Sequence, residues 1–177
     1  MKKKPAVFLD RDGVLTREQG FISRIDEVTL FPYAAECIGK IHQKGYLAIV
    51  ITNQSGVARG IFTEKELLKK HKAIIRETKV DAIYYCPHHI QGKIVQYKVL
   101  CDCRKPCIGL IRQACREFAI DMGNSYMAGD RAGDILTGIN AGIKTVLLES
   151  GYGSKNLEEN VSPDYIFKDL RDLAEFL

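Results

Sequence analysis

Long apolar runs are scarce in this 177-residue sequence. No stretch approaches the ~18 apolar residues of a membrane-spanning helix, so a membrane is not an expected partner. The start, Met1-Lys2-Lys3-Lys4, is basic, but the apolar run behind it stops at Asp10, far too short for the h-region of a secretory leader. A cytoplasmic protein is expected. Charge of one sign is also scarce. The formal net charge is only +4, with no basic stripe interleaved with aromatics. That gives no ground for a nucleic-acid partner, while still favouring anionic ligands such as phosphates. Repeats, low-complexity segments and linkers are missing too, which leaves residues 1–177 to be read as a single domain.

Hydrophobic residues make up 46% of the chain and charged ones 27%, the balance of an ordinary soluble globular protein. A chain of this size buries close to 70% of its unfolded surface and holds a core without disulfides or a partner. A monomer is therefore expected. Six cysteines without a secretion signal suggest metal or reactive thiols rather than a disulfide framework.

Continuous apolar runs predict buried strands at Ala6–Leu9, Tyr46–Thr52, Ala82–Tyr85, Tyr126–Ala128, Lys144–Leu148 and Tyr165–Phe167. Helical periodicity falls between them, near Ala34–Lys44, Glu64–Lys79, Ile108–Phe118, Gly133–Ala141 and Lys168–Phe176. Thr63 with Glu66 three residues on forms a capping box for the second of these. Strands alternating with helices, and apolar throughout, indicate an α/β, Rossmann-like parallel sheet covered on both faces. In such sheets the ligand crevice lies beyond the carboxyl ends of the strands. The polar chemistry of this sequence sits there.

"VFLDRDGVL" puts Asp10 at the end of the first strand and Asp12 two residues later, on the same side of an extended backbone. Gly13 lets the chain turn away. Two carboxylates and a carbonyl converging on one point, with room for water, suit Mg²⁺. A carboxylate can attack phosphorus when a metal screens the repulsion between the anions. Its neighbour can protonate the leaving alkoxide if its surroundings raise its pKa. A solvated Asp-Arg-Asp-Gly turn is the plain alternative for this string taken alone.

Three further strand ends shift that balance. "VITNQSG" offers Thr52, Asn53, Gln54 and Ser55 with successive backbone N–H groups that can cradle phosphate oxygens. "CRKPCIG" sets Arg104 and Lys105 before Pro106, read as the first residue of a helix; Lys105 can reach a phosphate as a point charge and Arg104 can grip an anion with two N–H groups. "YMAGDRAGDI" supplies Asp130 as a third metal oxygen and Asp134 as a supporting carboxylate behind it. Asp130 can equally cap a helix.

These four strings, in this order, resemble the motifs of the haloacid dehalogenase superfamily of phosphatases. Within it, "YYCPHH", "CDCRKP" and the string from Thr52 to Glu64 closely resemble the D-glycero-D-manno-heptose 1,7-bisphosphate 7-phosphatase family. The resemblance runs from Ala6 to about Gly151. It implies a Mg²⁺-dependent phosphatase of nucleotide-activated heptose biosynthesis acting on a small sugar phosphate. Asp10 would be the nucleophile and Asp12 the general acid, then base. Mg²⁺ would sit on Asp10, the Asp12 backbone carbonyl and Asp130, with Thr52 and Lys105 holding the phosphoryl group. Arg104, Asn53 to Ser55 and the loop of Glu18, Gln19, Gly20 and Phe21 would recognise the rest of the substrate. Arg131 stands where the family often has lysine, keeping the charge but changing its reach.

Cys86-Pro87-His88, then twelve residues, then Cys101-Asp102-Cys103 offers three thiolates and an imidazole, the donor set of a closed structural Zn²⁺ site. Cys107, read as starting a helix, and His89 are left out of it. The resembling family carries such a loop, here about residues 86–105, and the related histidinol-phosphate phosphatases carry a shorter one. The places after the first and third strands hold about twenty residues each, too few for a cap domain with its own core. A capless, open site is expected. Histidinol phosphate or another sugar phosphate remains open as substrate, as does a zinc-braced binding module without turnover.

Overall fold

The computed structural model describes residues 2–18, 27–158 and 160–177. Gln19, Gly20 and Phe21, expected to touch substrate, lie outside the described residues. Among the described residues six strands form one sheet: β1 (Ala6–Leu9), β2 (Leu47–Asn53), β3 (Ala82–Cys86), β4 (Tyr126–Gly129), β5 (Lys144–Leu148) and β6 (Tyr165–Phe167). Their spatial order is β3-β2-β1-β4-β5-β6 and every pairing is parallel. Among the described residues five α-helices connect or follow them: α1 (Ala34–Gln43), α2 (Glu64–Thr78), α3 (Gly109–Glu117), α4 (Ala132–Ala141) and α5 (Leu170–Phe176). The order reverses at β1, so β1 and β4 flank the switch point where open α/β sheets bind ligands.

Alternation along β1 shows how the layers are built. Val7 and Leu9 pack with Ile38 and Ile41 of α1 and Leu170 and Leu173 of α5. Ala6 and Phe8 face the other way, against Leu110, Ile111 and Ala114 of α3. On β5, Val146 and Leu148 join the first layer and Leu147 meets Ile135 of α4. Helices therefore cover both faces, as the unbroken apolar strands require. Complete burial of a side chain such as Phe8 contributes about 1.5–3 kcal/mol. The strand that presents Asp10 is thus clamped from both sides.

Helix ends follow local chemistry. Thr63 Oγ1 accepts the Glu66 N–H at 3.2 Å and the Glu66 carboxylate accepts the Thr63 N–H at 2.7 Å, completing the capping box. Asp169 caps α5 by accepting the Arg171 N–H at 2.9 Å, which starts that helix later than periodicity suggests. β2, β3 and β4 run one residue further than the apolar runs, whereas β1, β5 and β6 end with them. Asn53 pairs with Cys86, and Gly129 with Leu147, so ladder pairing carries the strands into the polar motifs.

One expectation fails. Pro106 is not the first residue of a helix, and Cys107 does not begin one, because α3 starts at Gly109. Pro106 lies in a turn closed by the Cys107 N–H on the Arg104 carbonyl (2.9 Å), with the Gly109 N–H reaching the Asp102 carbonyl (2.9 Å). The turn ties the sequence after Cys103 back on itself before the helix can start. Among the described residues, the segment between β3 and α3 carries only a 3₁₀ turn at Val95–Tyr97. No helix among the described residues is long and apolar enough to cross a membrane.

Candidate active site

At the carboxyl end of β1, Asp10 is 7% exposed, and Asp130 and Asp134, after β4, are 0% and 2% exposed. One oxygen from each of the three lies within 4.8 Å of the others. Lys105 Nζ donates to Asp10 (2.8 Å) and to Asp134 (2.5 Å). Three buried carboxylates against one ammonium leave an excess of negative charge. Burial, reinforced by Asp134 and Asp12 and opposed by Lys105, pushes Asp10 up to about 6. Burial, then the charges of Asp10 and Asp134, pushes Asp130 up to about 8. Burial works against the charge on Lys105, but Asp10 and Asp134 outweigh it and raise its pKa.

Asp130 Oδ2 accepts the Tyr152 N–H at 2.8 Å, whereas its buried Oδ1 has no hydrogen-bond partner among the described residues. A Cβ on Gly13, whose φ is +80°, would collide with Asp130 Oδ2. Glycine here gives both the left-handed turn and the close approach. A buried, unpartnered carboxylate oxygen in a set of hard oxygens fits a divalent cation such as Mg²⁺. Asp134, expected behind Asp130, stands in this set itself. Its other oxygen accepts the Arg131 N–H at 3.1 Å at the start of α4.

Asp12 faces a different environment. Arg11 grips it with Nε (3.0 Å to Oδ1) and Nη2 (2.9 and 2.8 Å to the two oxygens). Thr16 Oγ1 and Gln54 Nε2 donate to it at 2.9 and 3.0 Å. Burial acts to raise the Asp12 pKa, but the Arg11 charge and these hydrogen bonds together bring it below the ordinary value. The condition that its surroundings raise it is therefore not met in this arrangement. Asp12 rests as a carboxylate.

The end of β2 is arranged around that pair. Thr52 is 1% exposed, and its Oγ1 accepts from Gln54 Nε2 at 2.9 Å. Asn53 spends both ends of its amide on the Lys105 backbone, accepting the N–H at 3.0 Å and donating to the carbonyl at 3.1 Å. It braces the lysine while lining the cavity together with Gln54. Above lies a cavity of about 380 Å³ with Asp10, Asp12, Ser55 and Lys105 in its lining. Arg104, Arg131, Glu18 and Tyr152 also line it. Arg131 Nη2 bonds Glu18 at 3.0 Å and its guanidinium stacks on the Tyr152 ring at 3.9 Å. Arg17, Phe62 and Tyr152 went unnoticed in the sequence. All three line the cavity; Arg17 and Tyr152 come from loops outside the motifs, whereas Phe62 stands inside the string from Thr52 to Glu64.

Cys86, His88, Cys101 and Cys103 bring one donor atom each within 4.8 Å of one another. His88 Nδ1 is 3.7 Å from Cys86 Sγ and 3.6 Å from Cys103 Sγ, and all six cysteines are free thiols. A hydrogen bond from the Cys103 thiol, aided by His88 and opposed by burial, brings Cys86 down to about 6. Three sulfurs and an imidazole nitrogen fit a tetrahedral Zn²⁺ site. Arg104 follows at once and donates to the His88 carbonyl at 3.3 Å. Cys107 is exposed, apart from the cluster.

A family model described as HAD-hydrolase-like matches residues 102–173. The D-glycero-beta-D-manno-heptose-1,7-bisphosphate 7-phosphatase of Pasteurella multocida is 38% identical, over 98% of this chain and 97% of its own. The enzyme of the same name from Escherichia coli K12 is 36% identical, over 98% and 94%. Among solved structures, the D,D-heptose 1,7-bisphosphate phosphatase from B. bronchiseptica, complexed with magnesium and phosphate, superposes with a TM-score of 0.81. It is 31% identical, with 97% of both chains covered. Identity at this level, spread over nearly the full length of each partner, means that the chain belongs to the haloacid dehalogenase-type phosphatases, in the family of the heptose 1,7-bisphosphate 7-phosphatases.

Proposed function

We propose that this protein hydrolyses the 7-phosphate of D-glycero-β-D-manno-heptose 1,7-bisphosphate through an aspartyl-phosphate on Asp10. The observation that carries the reading is the juxtaposition of a buried carboxylate–lysine cluster with guanidinium groups across one cavity. A substrate with two phosphates needs both ends. One phosphoryl group would meet Asp10, Thr52 and Lys105, while Arg104 and Arg131 take the far phosphate. The names of the relatives supply the sugar.

Asp10, Asp130 and the Asp12 backbone carbonyl would hold Mg²⁺, with Asp134 beside them. Bound there, the cation would screen the phosphoryl charge from the carboxylates. An Asp10 oxygen attacks phosphorus as the bond to the C7 oxygen breaks, and Lys105 steadies the phosphoryl oxygens. Asp12 delivers a proton to the departing alkoxide. The incoming phosphoryl anion favours its protonated form, because like charge disfavours a second anion nearby. It then removes a proton from the water that attacks phosphorus and frees Asp10. Resting as a carboxylate suits this second half.

Phosphate release measured on both anomers of the bisphosphate, beside histidinol phosphate, tests the reading. The β anomer should have the highest kcat/KM. Equal or better turnover of histidinol phosphate would reassign the substrate, and no turnover of any would leave a binding module.

Activity should vanish with a chelator and return with Mg²⁺ but not Zn²⁺. The raised carboxylates add a pH signature. Native Asp10 and Asp130 hold protons that the unfolded chain has released, so in metal-free protein their contribution to stability falls as pH rises from about 4 to 8. Mg²⁺ competes with those protons, so its stabilisation should grow over the same range. Urea midpoints with and without Mg²⁺ at pH 5.5 and 8 read this directly. A Mg²⁺ effect that shrinks with pH would contradict the assignment.

We further read the thiol–imidazole cluster as a structural Zn²⁺ site. One zinc per chain is expected in purified protein. Cys101→Ser should lose it, lower the melting temperature and cut kcat/KM by roughly 10²-fold, because an error of about 1 Å in Arg104 and Lys105 has that cost. Elemental analysis without zinc would remove the site. A zinc-free variant with wild-type kcat/KM would remove its link to catalysis.

A further inference from the structure

His71 lies in α2, inside the polar run Lys69-Lys70-His71-Lys72, yet it is 3% exposed. Lys69 and Lys72 are exposed and Lys70 is half-buried, while the His71 ring turns inward to the edge of Tyr85, with centroids 5.3 Å apart. Its Nε2 lies 3.2 Å from Arg11 Nη1. A guanidinium has only donors, so this contact requires Nε2 to accept and the ring to carry its proton on Nδ1. Nδ1 has no hydrogen-bond partner among the described residues. Burial and the Arg11 charge hold the ring neutral, lowering its pKa to about 3.

Arg11 is itself 3% exposed, and its other nitrogens are committed to Asp12. The guanidinium is thus held at one end by a helix and at the other by the carboxylate that handles the proton. We infer that His71 is a positioning residue for catalysis: it fixes the rotamer of Arg11, and through Arg11 the angle at which Asp12 meets the leaving oxygen. The inference rests on the reading of Asp12 as the proton donor. The catalytic turn after β1 would then be steadied from α2 as well as from its own strand.

A leaving-group comparison separates positioning from a general loosening of the fold. Departure of the heptose alkoxide needs a proton, whereas p-nitrophenyl phosphate releases a phenolate that leaves without one. Since kcat/KM covers the steps up to and including leaving-group departure, it leaves out the later hydrolysis of the phosphoenzyme, and the comparison of leaving groups reads the departure step. His71→Leu removes the acceptor and keeps apolar bulk; it should lower kcat/KM for the bisphosphate by roughly tenfold or more, short of the ~10²–10⁴-fold worth of a whole general acid. For p-nitrophenyl phosphate the change should stay within about threefold. His71→Gln, whose amide oxygen can accept from Arg11, should recover most of the loss. His71→Phe keeps the ring against Tyr85 and serves if the leucine variant folds poorly. Equal losses on both substrates, no loss on either, or no recovery by glutamine would overturn the inference. Asp12→Asn is the control. If it too depresses both substrates equally, the proton-donor reading of Asp12 fails, and the role of His71 fails with it.

Discussion

Asp10→Asn should abolish turnover, by a factor on the order of 10⁴ or more, while the protein remains folded. An amide oxygen cannot form the acyl-phosphate, and removing a nucleophile outright removes the path that the other groups assist. Folding should survive for a specific reason. Asp10 is one of three buried carboxylates, and burial together with Asp134 and Asp12 already pushes it up to about 6. Above that pH its charge opposes folding of the metal-free protein, so a neutral amide relieves repulsion. Lys105 keeps its bond to Asp134. The metal-free variant should therefore match or exceed wild type in urea midpoint at pH 8. Rapid-quench detection of phosphoenzyme, lost in Asp10→Asn and present in wild type, checks the chemistry. Turnover within a hundredfold of wild type would move the nucleophile elsewhere.

Much of this site is legible in the chain because a parallel sheet gathers its strand ends. Asp10, Thr52 and Asp130 each follow a run of β-forming apolar residues, and ladder pairing brings them together whatever the loops do. The four zinc-type donors are legible for a related reason: thiols and an imidazole with one-residue spacings have few other uses in a polar loop. Side-chain partnerships are less so. Asn53 and Gln54 read as ligand-facing amides and do line the cavity, but their bonds to the Lys105 backbone and to Asp12 with Thr52 have no signal in the sequence. Asp134 reads as a supporting group, yet the first turn of α4 points it into the cluster. His71 is hidden by its lysine neighbours, since only the facing of α2 decides which polar residue turns inward. Pro106 misleads because proline before an apolar run fits a turn as well as a helix start.

Lys105→Met should be nearly as damaging, with a different signature. Lys105 Nζ joins Asp10 to Asp134 with its side chain only 4% exposed. Methionine keeps the length and removes the charge. In the reaction this deletes a preorganised cation at the phosphoryl group, worth about 10²–10³ in rate by analogy with a single oxyanion donor. In the metal-free protein it leaves Asp10, Asp130 and Asp134 without that ammonium. Breaking a buried pair from one side costs about 3–5 kcal/mol if the orphaned charges stay ionised. They need not stay so. Without Lys105 the Asp10 pKa climbs further, the native state binds more protons than the unfolded chain, and stability falls as pH rises. The loss relative to wild type should therefore be small near pH 5 and large near pH 8. Mg²⁺ should restore more stability to the variant than to wild type, since it supplies positive charge to the same oxygens. Lys105→Arg should not recover activity, because a planar guanidinium cannot occupy the point between two carboxylates that an ammonium fills. Urea midpoints at both pH values, with and without Mg²⁺, resolve these effects. A pH-independent loss would mean that packing, not charge, is what Lys105 contributes, and activity within tenfold of wild type would remove it from the phosphoryl site.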